Sequence, residues 1–257
     1  MENISNSTDN NYIIYYNSIK RGQAGRTIYN FTRVGLFLGY VSRLITPLFI
    51  MMKVKANTIT FIRSFIVLAS FVMFCVNNPK NIYFPAILFA LYFFFDVVDG
   101  DIARGTDKST MLGRYFDGLV DCMAYAFIHL VYGYMLYKYE LNIFYMLAGS
   151  IICSIHILGV LSIDRYQSFR RWIKEDTGED IGDFRLGKID KYLTFICLDL
   201  IYVSMFVSLF YFKIGAVMML ISGLLWGGRL FWYYSRLAYH NLPGYVDEPK
   251  VHFWTPK

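Results

Sequence analysis

The sequence predicts an all-α integral membrane protein, with six transmembrane helices preceded by an N-terminal amphipathic helix lying in the interface. Three observations carry that prediction. Of the 257 residues, 56% are hydrophobic and 19% aromatic, and the mean hydropathy is positive, which is too apolar for a soluble domain of this size. The apolar residues gather in runs of about 20, the length that crosses a ~30 Å hydrocarbon core as a helix. The basic residues fall unevenly between the two ends of those runs.

Residues 1–27 are polar, Asn-rich and Tyr-containing and read as a tail, mobile at its extreme end. They carry no charged-then-apolar pattern, so no cleaved signal peptide is expected. Residues 28–56 intersperse Arg33 and Arg43 with Leu, Phe and Ile and contain Pro47, a pattern that suits an amphipathic juxtamembrane helix better than a span. The transmembrane domain, 57–238, is read as spans at 57–76, 82–104, 113–137, 143–163, 192–212 and 214–234, followed by a C-terminal tail, 239–257. The short turns at 77–81, 138–142 and 212–213 hold only Lys80, Lys138 and Lys213 as basic residues; the others lie on the opposite side, which the positive-inside rule makes cytosolic, with both termini there. Cys75, Cys122, Cys153 and Cys197 each stand alone in an apolar stretch and read as reduced packing residues. Lys+Arg number 25 against 19 Asp+Glu, but no basic run accompanies a nucleic-acid motif, so nucleic acid is not expected as a partner.

The chemistry concentrates at the end of the second span and the start of the third. Asp96 and Asp99 share a helix face that Gly100 and Ala103 continue, with Arg104 next; in the following helix Gly113, Asp117 and Asp121 recur at four-residue spacing. If the two stripes pack together, four carboxylates converge. Like charges that close need a counter-ion, and oxygen ligands without Cys or His favour Mg²⁺, Mn²⁺ or Ca²⁺ over zinc. Such a cluster suits holding one or two divalent cations against a phosphate. Bare positions let a base or a diphosphate approach the backbone, and the Arg104 guanidinium suits phosphate oxygens. The competing reading is that small residues, Gly118 among them, let helices pack in lipid and that Arg104 is a positive-inside anchor.

Asp-x2-Asp-Gly-x2-Ala-Arg-x8-Gly-x3-Asp-x3-Asp resembles the signature of the CDP-alcohol phosphotransferases, also called CDP-alcohol phosphatidyltransferases, membrane enzymes of phospholipid synthesis, and every fixed position is filled. The resemblance implies a transferase that moves a substituted phosphoryl group from a CDP-linked donor, CDP-diacylglycerol by preference, to the hydroxyl of a polar alcohol with release of CMP. It implies Mg²⁺ or Mn²⁺, one or two ions, on Asp96, Asp99, Asp117 and Asp121, with Asp121 as general base. The cytidine diphosphate would lie against Asp99, Gly100, Ala103, Arg104 and Gly113. Asn57 and Thr60 at the start of the first span resemble the family's Pro-Asn-x-x-Thr, with Ala56 in place of proline; alone they read equally as a helix cap. Ser162, Arg165, Arg185, Lys188 and Arg229 are candidates for a basic acceptor pocket, Arg229 because an ionisable residue at membrane depth is costly unless used. The alternative for these is anchoring to lipid phosphates. A homodimer is implied by resemblance alone. The Asn, Ile, Lys and Tyr richness suggests an AT-rich bacterial genome and hence a bacterial cytoplasmic membrane.

Several other features carry no site. The second Asp-x3-Asp, Asp176 and Asp180, lies between Gly178 and Gly182 without an apolar face and reads as a solvated turn. Asp199, His129 and His156 read as packed polar residues. The rival functions are CDP-choline or CDP-ethanolamine transfer to diacylglycerol, an intramembrane prenyltransferase, and a divalent-cation transporter; the last would place its acids near the bilayer midplane.

Overall fold

The computed structural model describes residues 2–24, 33–76, 81–108, 110–181 and 188–242, with the backbone alone for 2–10, 24, 188–195 and 198. Among them there are eight helices and no strand: α1 (Glu2–Ala24), α2 (Arg33–Met51), α3 (Ala56–Val76), α4 (Tyr83–Gly105), α5 (Met111–Glu140), α6 (Ile143–Thr177), α7 (Lys188–Phe210) and α8 (Phe212–Asn241). Helices α3 to α8 overlie the six runs read as spans.

Local chemistry sets the boundaries. Thr110 caps α5 by accepting from the Gly113 N–H, and Asn142 caps α6 by accepting from the Phe144 N–H. Between α5 and α6, Leu141 turns the chain in the left-handed region at φ 54°. Helix α6 ends on Gly178, left-handed at φ 76°, where glycine carries no Cβ penalty.

Five helices are long and apolar enough to cross a membrane among the described residues: α2, α3, α5, α6 and α8. The set differs from the sequence reading. Helix α2, expected in the interface, qualifies by length and composition, while α4 is not in the set and α7 offers only the shorter apolar segment Asp199–Phe210. The polar N-terminal stretch, expected as a tail mobile at its extreme end, carries helix α1 over 2–24. Its physical reason is docking: Ile19 is buried against Ile50 and Ile102, so the polar stretch has an apolar anchor that composition conceals. Helix α6 runs past the expected end at 163 to Thr177, and at 35 residues it measures about 50 Å, longer than a hydrocarbon core.

Helix α3 packs on α4, α5 on α6, and α8 on both α6 and α7, while α1 and α2 lie against α4. The core is aromatic, with Phe74, Phe89, Tyr92, Phe93 and Tyr132 all buried. Lipid-like surroundings give helices no hydrophobic reason to associate, so close approach must supply the contact. At the α5–α6 crossing it does: a Cβ on Gly133 would meet the Gly149 Cα at 2.7 Å. Phe61, Phe65 and Leu68 on α3 point outward, as they would toward acyl chains. At one end of the bundle Lys138 donates to the Cys75 carbonyl and Lys213 pairs with Glu140 at 2.9 Å, which brings the end of α3, the α5–α6 junction and the start of α8 together there.

Candidate active site

The opposite end of the bundle holds the acids. Asp96 and Asp99 sit on α4, Asp117 and Asp121 on α5, and the chain leaves α4 through a turn at 106–107, with Asp107 left-handed at φ 52°. Aspartate tolerates that conformation better than bulkier residues. Expected as a direct pairing of two stripes, the cluster is assembled differently: no Cα of α4 comes within 8 Å of one in α5, and α3 packs against both.

What joins the carboxylates is Arg63, fully buried on α3. Its Nη1 pairs with Asp96, its Nη2 lies 2.5 Å from Asp117 Oδ1 and 3.1 Å from Asp121 Oδ1, and its Nε is 3.7 Å from Asp99. The guanidinium also sits 5.2 Å from the centre of the Tyr92 ring, whose hydroxyl donates to Asp121 at 2.6 Å. One formal positive charge among four carboxylates leaves an excess of negative charge. Asp96, Asp99 and Asp117 each offer an oxygen, all within 4.8 Å of one another. That oxygen-only set fits a hard divalent cation. Asp121 falls outside this group of three and is held by Tyr92 and Arg63.

Beside the acids opens a cavity of about 620 Å³. Every residue assigned to the nucleotide from sequence lines it: Asn57 and Thr60 from α3, Asp99, Gly100, Ala103 and Arg104 from α4, and Gly113 from α5. Thr60 is not merely a cap, since its hydroxyl donates to Asp99 Oδ2 at 2.8 Å. The bare positions are tight: a Cβ on Gly113 would meet Asn57 Oδ1 at 2.7 Å. Gly118, read as a packing glycine, has nothing within 4 Å of where its Cβ would be. Lys108 and Arg114 complete a basic rim, and Gly22 of α1 contributes to the wall.

The acceptor candidates are scattered. Ser162 and Arg165 line a second, mostly apolar cavity of about 370 Å³ with Tyr166 and Tyr234, and Arg229 is not among its lining residues. Neither of the two cavities described takes in both Arg165 and Arg229. Arg185 lies outside the described residues, as does the side chain of Lys188. Asp180 is engaged by Arg170 at 2.6 and 2.9 Å and by Lys174, as befits an exposed turn. His129 and His156 are buried with rings 5.4 Å apart, and Tyr125 stacks on His156. Asp199 accepts from the Arg33 N–H at 3.2 Å, at the start of α2.

The family model for CDP-alcohol phosphatidyltransferase matches residues 53–226, about two thirds of the chain. The chain belongs to that family. This CDP-alcohol phosphatidyltransferase is accordingly a membrane enzyme of phospholipid synthesis that transfers a phosphatidyl group from a CDP-alcohol to an alcohol acceptor, in a family generally dependent on divalent metal. The match takes in Arg63, the four acids and the 620 Å³ cavity wall from Asn57 to Asp117, and it leaves out α1, α2 and Arg229. A search of curated proteins finds no match to the chain.

Sequence reasoning missed Arg63, Tyr92 and the α1 wall. For Arg63 the signal was present: burial cost at membrane depth, the rule that singles out Arg229, applies equally to an arginine two turns into the first span. Tyr92 has no such mark, being one aromatic among many.

Proposed function

We propose that the enzyme takes CDP-diacylglycerol as donor and a polar alcohol as acceptor, releasing CMP at the cytosolic face of a six-span domain covering 57–238. The observation that carries the reading is that the residues of the Asp-Gly-Ala-Arg motif and the Asn57–Thr60 pair wall a single cavity whose floor is acidic and whose rim is basic. An anionic floor suits cations bridging to a diphosphate, and a basic rim suits the diphosphate itself.

In this mechanism Asp96, Asp99 and Asp117 would hold Mg²⁺ or Mn²⁺, which would supply the positive charge that neutralises the diphosphate and makes CMP a competent leaving group. Gly100, Ala103 and Gly113 line the nucleotide's cavity, the two glycines bare enough to seat the Arg104 guanidinium and Asn57 Oδ1 against the backbone, and Arg104 faces the phosphate oxygens. Asp121 accepts the proton of the acceptor hydroxyl as that oxygen forms a bond to the lipid-bearing phosphorus and the bond to the CMP oxygen breaks. Tyr92, donating to Asp121 Oδ1, keeps that carboxylate aimed. Ser162 and Arg165 are assigned to the acceptor side, with Arg185, Lys188 and Arg229 as further candidates, and the polar alcohol enters from the cytosol while the lipid enters sideways between helices. A homodimer in a bacterial cytoplasmic membrane completes the proposal.

The test is CMP release by purified protein given CDP-diacylglycerol, a panel of alcohols, and Mg²⁺ or Mn²⁺. Alcohol-dependent CMP is the expected result. CMP formed only from CDP-choline or CDP-ethanolamine with diacylglycerol, diphosphate released from a prenyl donor, or ion flux without CMP would each replace this reading.

A further inference from the structure

Asp101 lies between the motif's Gly100 and Ile102, at a variable position of the pattern, yet it is fully buried. A buried carboxylate is costly unless it is saturated with donors, and this one is. Its Oδ1 accepts from Arg104 Nη2 at 2.5 Å, and its Oδ2 accepts from Gln23 Nε2 at 2.5 Å and from Ser42 Oγ at 2.7 Å. Gln23 is itself held from its other side, where Arg43 Nε and Nη2 donate to Gln23 Oε1 at 3.1 and 2.8 Å. Three helices thus meet at one carboxylate, and two of them, α1 and α2, lie outside the family match.

The position of this network gives it a consequence. Gly22, next to Gln23, lines the 620 Å³ cavity together with Arg104. The contact is close, since a Cβ on Gly22 would stand 3.5 Å from Arg104 Cβ and 3.6 Å from its Cδ. Arg104 Nε is buried and has no hydrogen-bond partner, so the guanidinium is anchored through Asp101 with donor capacity left over. Fixing an arginine costs rotamer freedom, and fixing it before the ligand arrives removes that cost from binding.

We propose that Asp101 is a positioning residue that holds Arg104 for the nucleotide diphosphate and, through Gln23, locks the N-terminal helix α1 in place as a wall of the same cavity. Docking of α1 and occupancy of the cavity are therefore coupled, each favouring the other. The inference rests on the nucleotide reading of that cavity.

Two variants and two readouts test it. Gln23→Ala removes the tie to α1 and leaves the Asp101–Arg104 pair; Asp101→Asn weakens both. Charge-assisted hydrogen bonds of this kind predict a rise in KM for CDP-diacylglycerol of about tenfold in each, with kcat much less affected. Independently, trypsin cleavage at the exposed Arg21 of detergent-solubilised full-length protein should slow when CMP and Mn²⁺ are added to wild type, and should be fast and insensitive to CMP in Gln23→Ala. Unchanged KM together with unchanged CMP protection in Gln23→Ala overturns the proposal, and that variant carries the test if Asp101→Asn does not fold. A wild type that makes no CMP sinks the reaction assignment instead; cleavage at Arg21 in EDTA, compared between wild type and Gln23→Ala, still decides whether Gln23 locks α1.

Discussion

Around Arg63 one guanidinium serves Asp96, Asp99, Asp117 and Asp121, whereas around Asp101 one carboxylate is served by Gln23, Ser42 and Arg104. Both sites lie at the same end of the bundle and share α4, and both bury a charge that water would otherwise solvate. The first is underfilled: four anions compete for one cation, so the cluster gains by admitting another positive charge. The second is saturated by donors from three helices, so it has no vacancy of its own for a ligand and resists rearrangement. An unbalanced cluster is suited to binding and turnover; a balanced one is suited to holding other groups still. The order of the residues along α4 places one of each within two residues, Asp99 and Asp101, on different faces of the helix.

The sharpest way to break the comparison is at the acid assigned to chemistry. Asp121→Asn should lower CMP release by about 10²- to 10⁴-fold, the usual worth of a general base, with nucleotide binding by equilibrium titration kept; EDTA should abolish release in wild type, and Mg²⁺ or Mn²⁺ should restore it. Retained turnover in Asp121→Asn would remove that residue from the chemistry. Arg63→Gln comes next. Taking away one partner of a buried ion cluster costs about 3–5 kcal/mol, so thermal unfolding in EDTA should show a marked loss that Mn²⁺ largely repairs, because the metal binds only the folded cluster. Equal unfolding of variant and wild type in EDTA would mean that Arg63 does not balance these acids.

A smaller effect is expected at Thr60→Val, which keeps the shape and deletes the 2.8 Å hydrogen bond to Asp99. Bonds to charged groups contribute about 1.5–3 kcal/mol, so metal affinity by titration should weaken by roughly ten- to a hundredfold, and an unchanged titration would detach Thr60 from the cluster. The smallest effect belongs to the exposed acid that sequence alone shares with the motif: Asp180→Ala breaks the pair with Arg170, worth at most about 1 kcal/mol at a solvated position, and CMP release should be unaltered. Loss of activity there would revive the second Asp-x3-Asp as a site.

Much of the active end was legible because its signals are short-range. Helical spacing placed Asp96 with Asp99 and Gly113 with Asp117 on common faces, and their cavity contains the nucleotide residues named from the motif. Hydropathy located α3 to α8 because each apolar run is continuous. The failures share the opposite property. The 2–24 stretch read as a tail because its apolar residues are too few to mark a helix against its Asn-rich composition, and Ile19 and Gln23 seated against α4, with Tyr12 bonded to the Leu44 carbonyl on α2, explain its order. The apolar run read as a span at 143–163 gives no sign that the backbone continues as helix to Thr177, because hydropathy marks lipid and not the helix end.

The chain's own letters determined that four acids, two glycines and an arginine would share one end of a helical bundle, because residues three and four apart on a helix are neighbours in any fold. Which cation stands among those acids and which carboxylate holds Arg104 and α1 were decided by tertiary packing. Arg63 reaches acids 33 and 54 residues away, and Gln23 reaches Asp101 across 78. Pairings at that range leave no periodic trace in a single sequence, since they depend on how α1, α2 and α3 are laid against α4.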